Sequence, residues 1–244
     1  MELEVERYLR TLARKDDLYY TNPARVKELT DDLILKDETI FQFIFMGDSN
    51  LSHCTALANW WIPVRSPCKV LDIGSGVGTC SVLLSRITNT NFTQFNIDQH
   101  QLDLALDIGP KVQGDMNEGL PFPDESFDEV VMLYSLGHAK LDHIMPEIYR
   151  VLTKKAGLFI YDIYFEKQIE AAMRFNYVAY NPYRVIEEAE SAGFYNVRVG
   201  IPMGAIYRDI TQTLPISQFS FYNPKPMIYR FAKESERASD ELFS

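Results

Sequence analysis

Asp72, Gly74, Gly76 and Gly78 stand at alternate positions where a short apolar run ends, in Val70-Leu71-Asp72-Ile73-Gly74-Ser75-Gly76-Val77-Gly78. Glycines at this spacing let the backbone approach a ligand where a side chain would obstruct it. The acid just before them can attract a cationic group or cap a turn. A second acid, Asp98, closes the phrase Asn96-Ile97-Asp98 about twenty residues farther on, where a carboxylate can accept both hydroxyls of a ribose or cap a helix. Gly114-Asp115-Met116 repeats the theme, although Gly-Asp is also a common turn and Met a common core filler. Tyr134-Ser135-Leu136-Gly137-His138 then brings a phenol and an imidazole together, and an imidazole takes up a proton near neutral pH. His138 is therefore the first candidate for a general base, with a cap on the helix near Leu141 as its plain structural role. Tyr134 is equally suited to the core.

These residues need a frame that brings them to one edge. Val70–Ile73 reads as a buried parallel strand, and Thr79–Arg86 as a helix with apolar residues toward a sheet. Further strands are expected at Phe92–Ile97, just before Gly114, at Glu129–Tyr134 and at Leu158–Ile163. Asn181-Pro182 starts a helix over Tyr183–Ala192, with Gly193 as its C′ residue. Asn196–Ile201 and Met227–Phe231 read as final strands. The alternation predicts a Rossmann-like, doubly wound α/β fold: a mostly parallel seven-stranded sheet with an antiparallel C-terminal edge. Residues 1–66 are expected to form an N-terminal helical lid, including the unusually apolar Phe41-Gln42-Phe43-Ile44-Phe45-Met46. The cofactor-binding domain spans 67–234, with inserts at 165–180 and 203–223, and 235–244 is a polar tail.

The glycine pattern is G-x-G-x-G, and Thr79 stands where a dinucleotide fingerprint would place its third glycine, which disfavours an NAD enzyme. In this form it resembles motif I of the class I S-adenosylmethionine (SAM) methyltransferases. The stretches Leu120-Pro121-Phe122-Pro123-Asp124-Glu125-Ser126-Phe127-Asp128 and Glu147-Ile148-Tyr149-Arg150-Val151-Leu152-Thr153-Lys154-Lys155-Ala156-Gly157 resemble the segments around the fourth strand of the small-molecule enzymes related to ubiquinone and menaquinone biosynthesis. The resemblance covers residues 68–200 and implies SAM as cofactor, with S-adenosylhomocysteine (SAH) as product.

It implies that Asp72 draws the SAM ammonium, directly or through water, and that Gly74, Ser75, Gly76 and Gly78 lie against its methionine part. Asp98 and Gln99 would meet the ribose, and Asp115 the adenine edge, with Met116 over the ring and Tyr134 packed on the cofactor. On the acceptor side it supports His138 as base and implies that the segment with Tyr19-Tyr20 folds over the site as a lid; Tyr20 could then pair with His138 across the acceptor, and Tyr134 could orient it.

The expected reaction is direct methyl transfer to a small lipophilic, isoprenoid or aromatic acceptor, the aromatics of the inserts, such as Phe175, Tyr177, Phe219 and Phe221, lining its pocket. Phosphobase N-methylation and prenyl-diphosphate C-methylation are narrower options; a diphosphate would need a basic cluster, for which Arg174, Arg184 and Arg208 are scattered candidates. A non-catalytic SAM-binding scaffold of the same fold is the alternative from another class.

The remaining sequence sets limits. A net charge of −10 argues against a nucleic-acid surface, because phosphate binding needs a basic patch. Three cysteines, Cys54, Cys68 and Cys80, form no disulfide framework. The histidines lack metal-ligand spacing, so a metal-free site is expected. Charged residues run through Met1–Asp17, unlike a signal peptide, and no apolar run is long enough to span a membrane. A soluble, cytoplasmic monomer or homodimer without membrane insertion is the expectation.

Overall fold

The computed structural model describes residues 44–46, 50–61, 68–165, 178–202, 205–207 and 224–233. Tyr19, Tyr20, most of the expected N-terminal lid and of the expected inserts at 165–180 and 203–223, and the tail lie outside them.

In chain order the elements are β1 (Ile44–Met46), α1 (Asn50–Trp60), β2 (Lys69–Ile73), α2 (Thr79–Thr88), β3 (Asn91–Asn96), α3 (Gln99–Leu104) and β4 (Lys111–Gln113). There follow β5 (Phe127–Leu133), a 3₁₀ turn (Leu136–His138), α4 (Leu141–Val151), β6 (Leu152–Phe165), α5 (Pro182–Ser191), β7 (Tyr195–Gly200), β8 (Ala205–Tyr207) and β9 (Pro224–Ala232). The main sheet has seven strands in the order β4-β3-β2-β5-β6-β9-β7. β4, β3, β2, β5 and β6 are parallel, and β9 enters antiparallel between β6 and β7. The chain reverses its winding between β2 and β5, which opens a crevice at their carboxyl ends.

Both faces of this sheet are covered, so successive residues of a strand are buried in different layers. Leu71, Val130, Met132, Leu158 and Ile160 pack with Ile144, Ile148 of α4 and Val185, Ala189 of α5. Val70, Val131, Leu133, Phe159 and Tyr161 pack with Cys54, Leu57 of α1 and Cys80, Leu84 of α2. That two-sided burial is why the strands read as near-continuous apolar runs. The three cysteines are buried and form no disulfide. Among the described residues, no helix is long and apolar enough to cross a membrane.

One expectation is corrected. The apolar stretch ending at Met46 is not helical throughout: Ile44–Met46 is a strand, paired antiparallel with Ala205–Tyr207 from inside the expected connection of residues 203–223. Aromatic and β-branched residues favour an extended chain once a partner strand is available. Asn50–Trp60, by contrast, is helical as expected.

Candidate active site

β2 ends at Ile73, and the chain turns sharply because Gly74 and Ser75 both donate their amides to the Phe95 carbonyl of β3, at 2.8 and 3.2 Å. Gly74 takes φ +78°, and a Cβ there would lie 2.4 Å from the Cβ of Ser135, at the end of β5. Gly76, at φ +58°, is different: the nearest heavy atom to its would-be Cβ is Gln101 Oε1 at 4.0 Å. Gly74 is thus fixed by packing, whereas Gly76 borders open space. Gly78 caps α2, whose N-terminal amides favour negative charge nearby.

Asp72 lies beneath this turn, 2% exposed. The Ser81 hydroxyl of α2 donates to its Oδ2. Its Oδ1 has no partner, and neither have both amide atoms of Gln94 or the Ser75 hydroxyl. Gln94 faces Asp72 in register across β2 and β3, and its amide nitrogen fills the place a Cβ on Gly78 would take. Burial pushes the Asp72 carboxyl up to about 6, against the Ser81 bond. Buried polar atoms are satisfied in nearly all native proteins. Their clustering here fits a polar ligand, one that is cationic toward Asp72.

The other acids have local partners as well. Asp98 caps α3, accepting the Gln101 amide at 2.8 Å through Oδ1. Gln99 turns to Asp103 of its own helix. Asp115 Oδ1 accepts the Asn117 amide at 2.8 Å. Met116 does reach the corner, its methyl 3.6 Å from the would-be Cβ of Gly74. Asn96, at the end of β3, accepts the Gly76 amide at 3.3 Å and donates to Gln101 at 2.9 Å, which ties the cradle to α3.

At the end of β5, Tyr134 adopts φ +61°, a costly conformation for a tyrosine. Its amide donates to the Tyr161 carbonyl at 2.8 Å. Its ring lies 5.0 Å from that of Tyr161, with His53 of α1 5.4 Å from Tyr161. Burial, then Tyr161, keeps the Tyr134 phenol well above its ordinary range, so it stays neutral. Burial likewise holds His138 down to about 4, leaving it neutral at pH 7 but a weak base. The His138 carbonyl accepts from Asn117 Nδ2 at 2.9 Å. Asp162, 3% exposed, accepts the amides of Leu136 and Ile163 at 2.9 and 2.7 Å. Burial pushes its carboxyl up to about 7, against those bonds.

Asp72, the glycine turn and Met116 therefore converge, with Tyr134 and His138 on the segment beside them, whereas Gln99 points along its own helix. Gln94, Asn96, Asn117, Ser135 and Asp162 belong to the same site, although the motif residues alone do not single them out. Asn96 sits inside the phrase that ends in Asp98, and its position at a strand end beside the glycines was the available signal. Among the described residues, no group of three or more His, Cys, Asp or Glu is arranged to hold a metal ion.

Residues 71–160 match the sequence family described as Methyltransferase domain. The chain carries a methyltransferase domain. Sterol 24-C-methyltransferase erg-4 of Neurospora crassa is 35% identical to it over 108 residues, which are 40% of this chain and 28% of that protein. The chain spans only between 26% and 37% of the length of the curated relatives it matches. Among solved structures, geranyl diphosphate C-methyltransferase from Streptomyces coelicolor A3(2) superposes with a TM-score of 0.63 at 11% identity, covering 75% of this chain and 80% of that one. The cyclase SpnF superposes at 0.69 with 14% identity, covering 87% and 97%. These likenesses establish a Rossmann-like fold around the methyltransferase domain.

Proposed function

We propose that this protein is a SAM-dependent methyltransferase whose acceptor is a small, lipophilic, isoprenoid-type molecule. The observation that carries the reading is the set of unpartnered buried polar atoms on Asp72, Ser75 and Gln94, beside a glycine turn that is open at Gly76. Asp72 would take the cofactor's ammonium group, and the backbone from Gly74 to Gly78 would border its methionine part. Asp98 keeps a second carboxylate oxygen for the ribose, and Met116 with Asp115 would bound the adenine. When bound, SAM supplies an electrophilic methyl group to the acceptor's electron pair and leaves as SAH.

The chain's own contribution is mostly positioning and exclusion of water. Tyr134 presents a neutral phenol. His138 is neutral but too weakly basic to take a proton with much driving force, so we assign it to orienting the acceptor rather than to strong base catalysis. The acceptor class draws support from the names of the relatives, which act on a sterol and on geranyl diphosphate. The lid residue Tyr20 is kept as a further acceptor contact on the sequence argument alone.

The fold also serves a protein named as a cyclase, so fold alone does not carry the transfer. The test is incubation with methyl-labelled SAM and a panel of sterols, prenyl diphosphates and phosphoethanolamine. Label is expected in a sterol or prenyl acceptor. A protein that binds SAH and labels nothing in the panel would favour the non-catalytic scaffold, and label in phosphoethanolamine alone would move the acceptor class.

A further inference from the structure

The segment from Ser135 to Lys140 is held by a different part of the fold at nearly every residue. The Ser135 hydroxyl donates to the Ile73 carbonyl at the end of β2. The Leu136 amide donates to Asp162 Oδ2 on β6, and the Gly137 amide also bonds this carboxylate. The Gly137 carbonyl accepts the Val178 amide at 3.1 Å, and the Ala139 carbonyl accepts the Tyr180 hydroxyl at 2.7 Å. From the side of the β4–β5 connection, Asn117 donates to the His138 carbonyl at 2.9 Å and accepts the Lys140 amide at 2.7 Å.

Burying a carboxylate is costly, and an apolar residue at 162 would be cheaper to bury. What a carboxylate adds is direction, because its two oxygens fix the backbone amides of the turn relative to β6. That turn carries both Ser135, against which Gly74 is seated, and His138. Resting on the methyl-transfer reading above, we propose that Asp162 and Asn117 are positioning residues of the site, clamping the Ser135–His138 turn from two sides. Through the clamp, one segment sets the seat of the glycine turn and the place of His138 together. Val178–Tyr180, bonded to the same turn, are the last residues of the insert expected at 165–180.

Asp162→Asn keeps the shape but has one acceptor oxygen, and its NH₂ would face an amide N–H of Leu136 or Ile163. Asn117→Ala removes both bonds on the other side. The readouts are the His138 ring signals by NMR in the ligand-free full chain, and SAH affinity by calorimetry. Both variants are expected to move or broaden the His138 signals and to weaken SAH about tenfold, the effect of one modest contact. The control is Glu190→Gln, which removes an exposed charge on α5 and is expected to leave both readouts unchanged. If Asp162→Asn does not fold, Asn117→Ala carries both readouts. A folded variant with unchanged His138 signals and unchanged SAH affinity overturns the proposal. If SAH does not bind the wild type, the cofactor reading falls, and the His138 signals of the ligand-free protein still decide the clamp.

Discussion

At the scale of single residues, the glycine turn separates folding from binding. Gly74 and Gly76 both have positive φ, so an alanine at either carries a backbone penalty of about 1–2 kcal/mol. Only at Gly74 does the new methyl also strike a neighbour, Ser135. Gly74→Ala is thus expected to lose most of its thermal stability, whereas Gly76→Ala is expected to fold and to lose SAH binding. Melting curves with and without SAH check both, and a Gly76→Ala protein that binds SAH normally would remove Gly76 from the cradle.

Asp72 gives a pH dependence with a definite sign. Its folded-state pKa, about 6, is raised above the unfolded value, so the folded protein holds this proton more tightly. The associated stability is present below the unfolded pKa and is lost as pH rises through the folded one. Asp72→Asn cannot titrate, so its stability relative to the wild type is expected to improve by up to ~3 kcal/mol between about pH 4 and pH 6. The comparison with the wild type matters because His53 and His138, both held down to about 4, add stability over much of the same range as pH rises. Urea unfolding of the two proteins across this window checks it; a constant difference would mean that Asp72 is charged in the ligand-free fold.

At the scale of elements, two ion-pair devices hold the sheet and its loops. Glu129 of β5 is buried and bonded by Nη1 and Nη2 of Arg230 on β9, at 2.7 and 2.8 Å, across the intervening β6. Glu129→Gln strands a mostly buried guanidinium and is expected to cost about 3–5 kcal/mol, read from urea midpoints, while apolar replacement of both partners recovers most of it. A loss below 1 kcal/mol would mean that water reaches Arg230. Arg150 of α4 grips the loop before β5, bonding the carbonyls of Leu120 and Phe122 along with Asp124, and Glu147 takes the Leu120 amide. This explains physically why the stretches 120–128 and 147–157 travel together as sequence motifs.

The same elements show what a sequence carries. The corner from Val70 to Thr88 was legible because strand, turn and helix follow one another and each is specified locally. Ile44–Met46 was not, because its extended form depends on a partner strand far along the chain, at Ala205–Tyr207. Gln94 looks like an ordinary polar strand residue, and only the layering of the fold buries it. Asp162 and Asn117 act on backbone amides and carbonyls of a distant turn, which have no sequence signature of their own.

At the scale of the whole molecule, the domain is a Rossmann-like sheet whose switch-point crevice, between β2 and β5, collects the chemistry of five segments: 72–78, 94–98, 115–117, 134–138 and 162. The chain is acidic overall, with a net charge of −10, which suits a small acceptor better than a nucleic-acid polyanion. The most direct test of the methyltransferase reading is calorimetric titration of the full chain with SAH, with NAD as the parallel ligand. One saturable site for SAH and none for NAD is the expected result, and at a hundredfold excess over its Kd, SAH should stabilise the fold by about 2.7 kcal/mol. Binding of NAD, or of neither ligand, would contradict it.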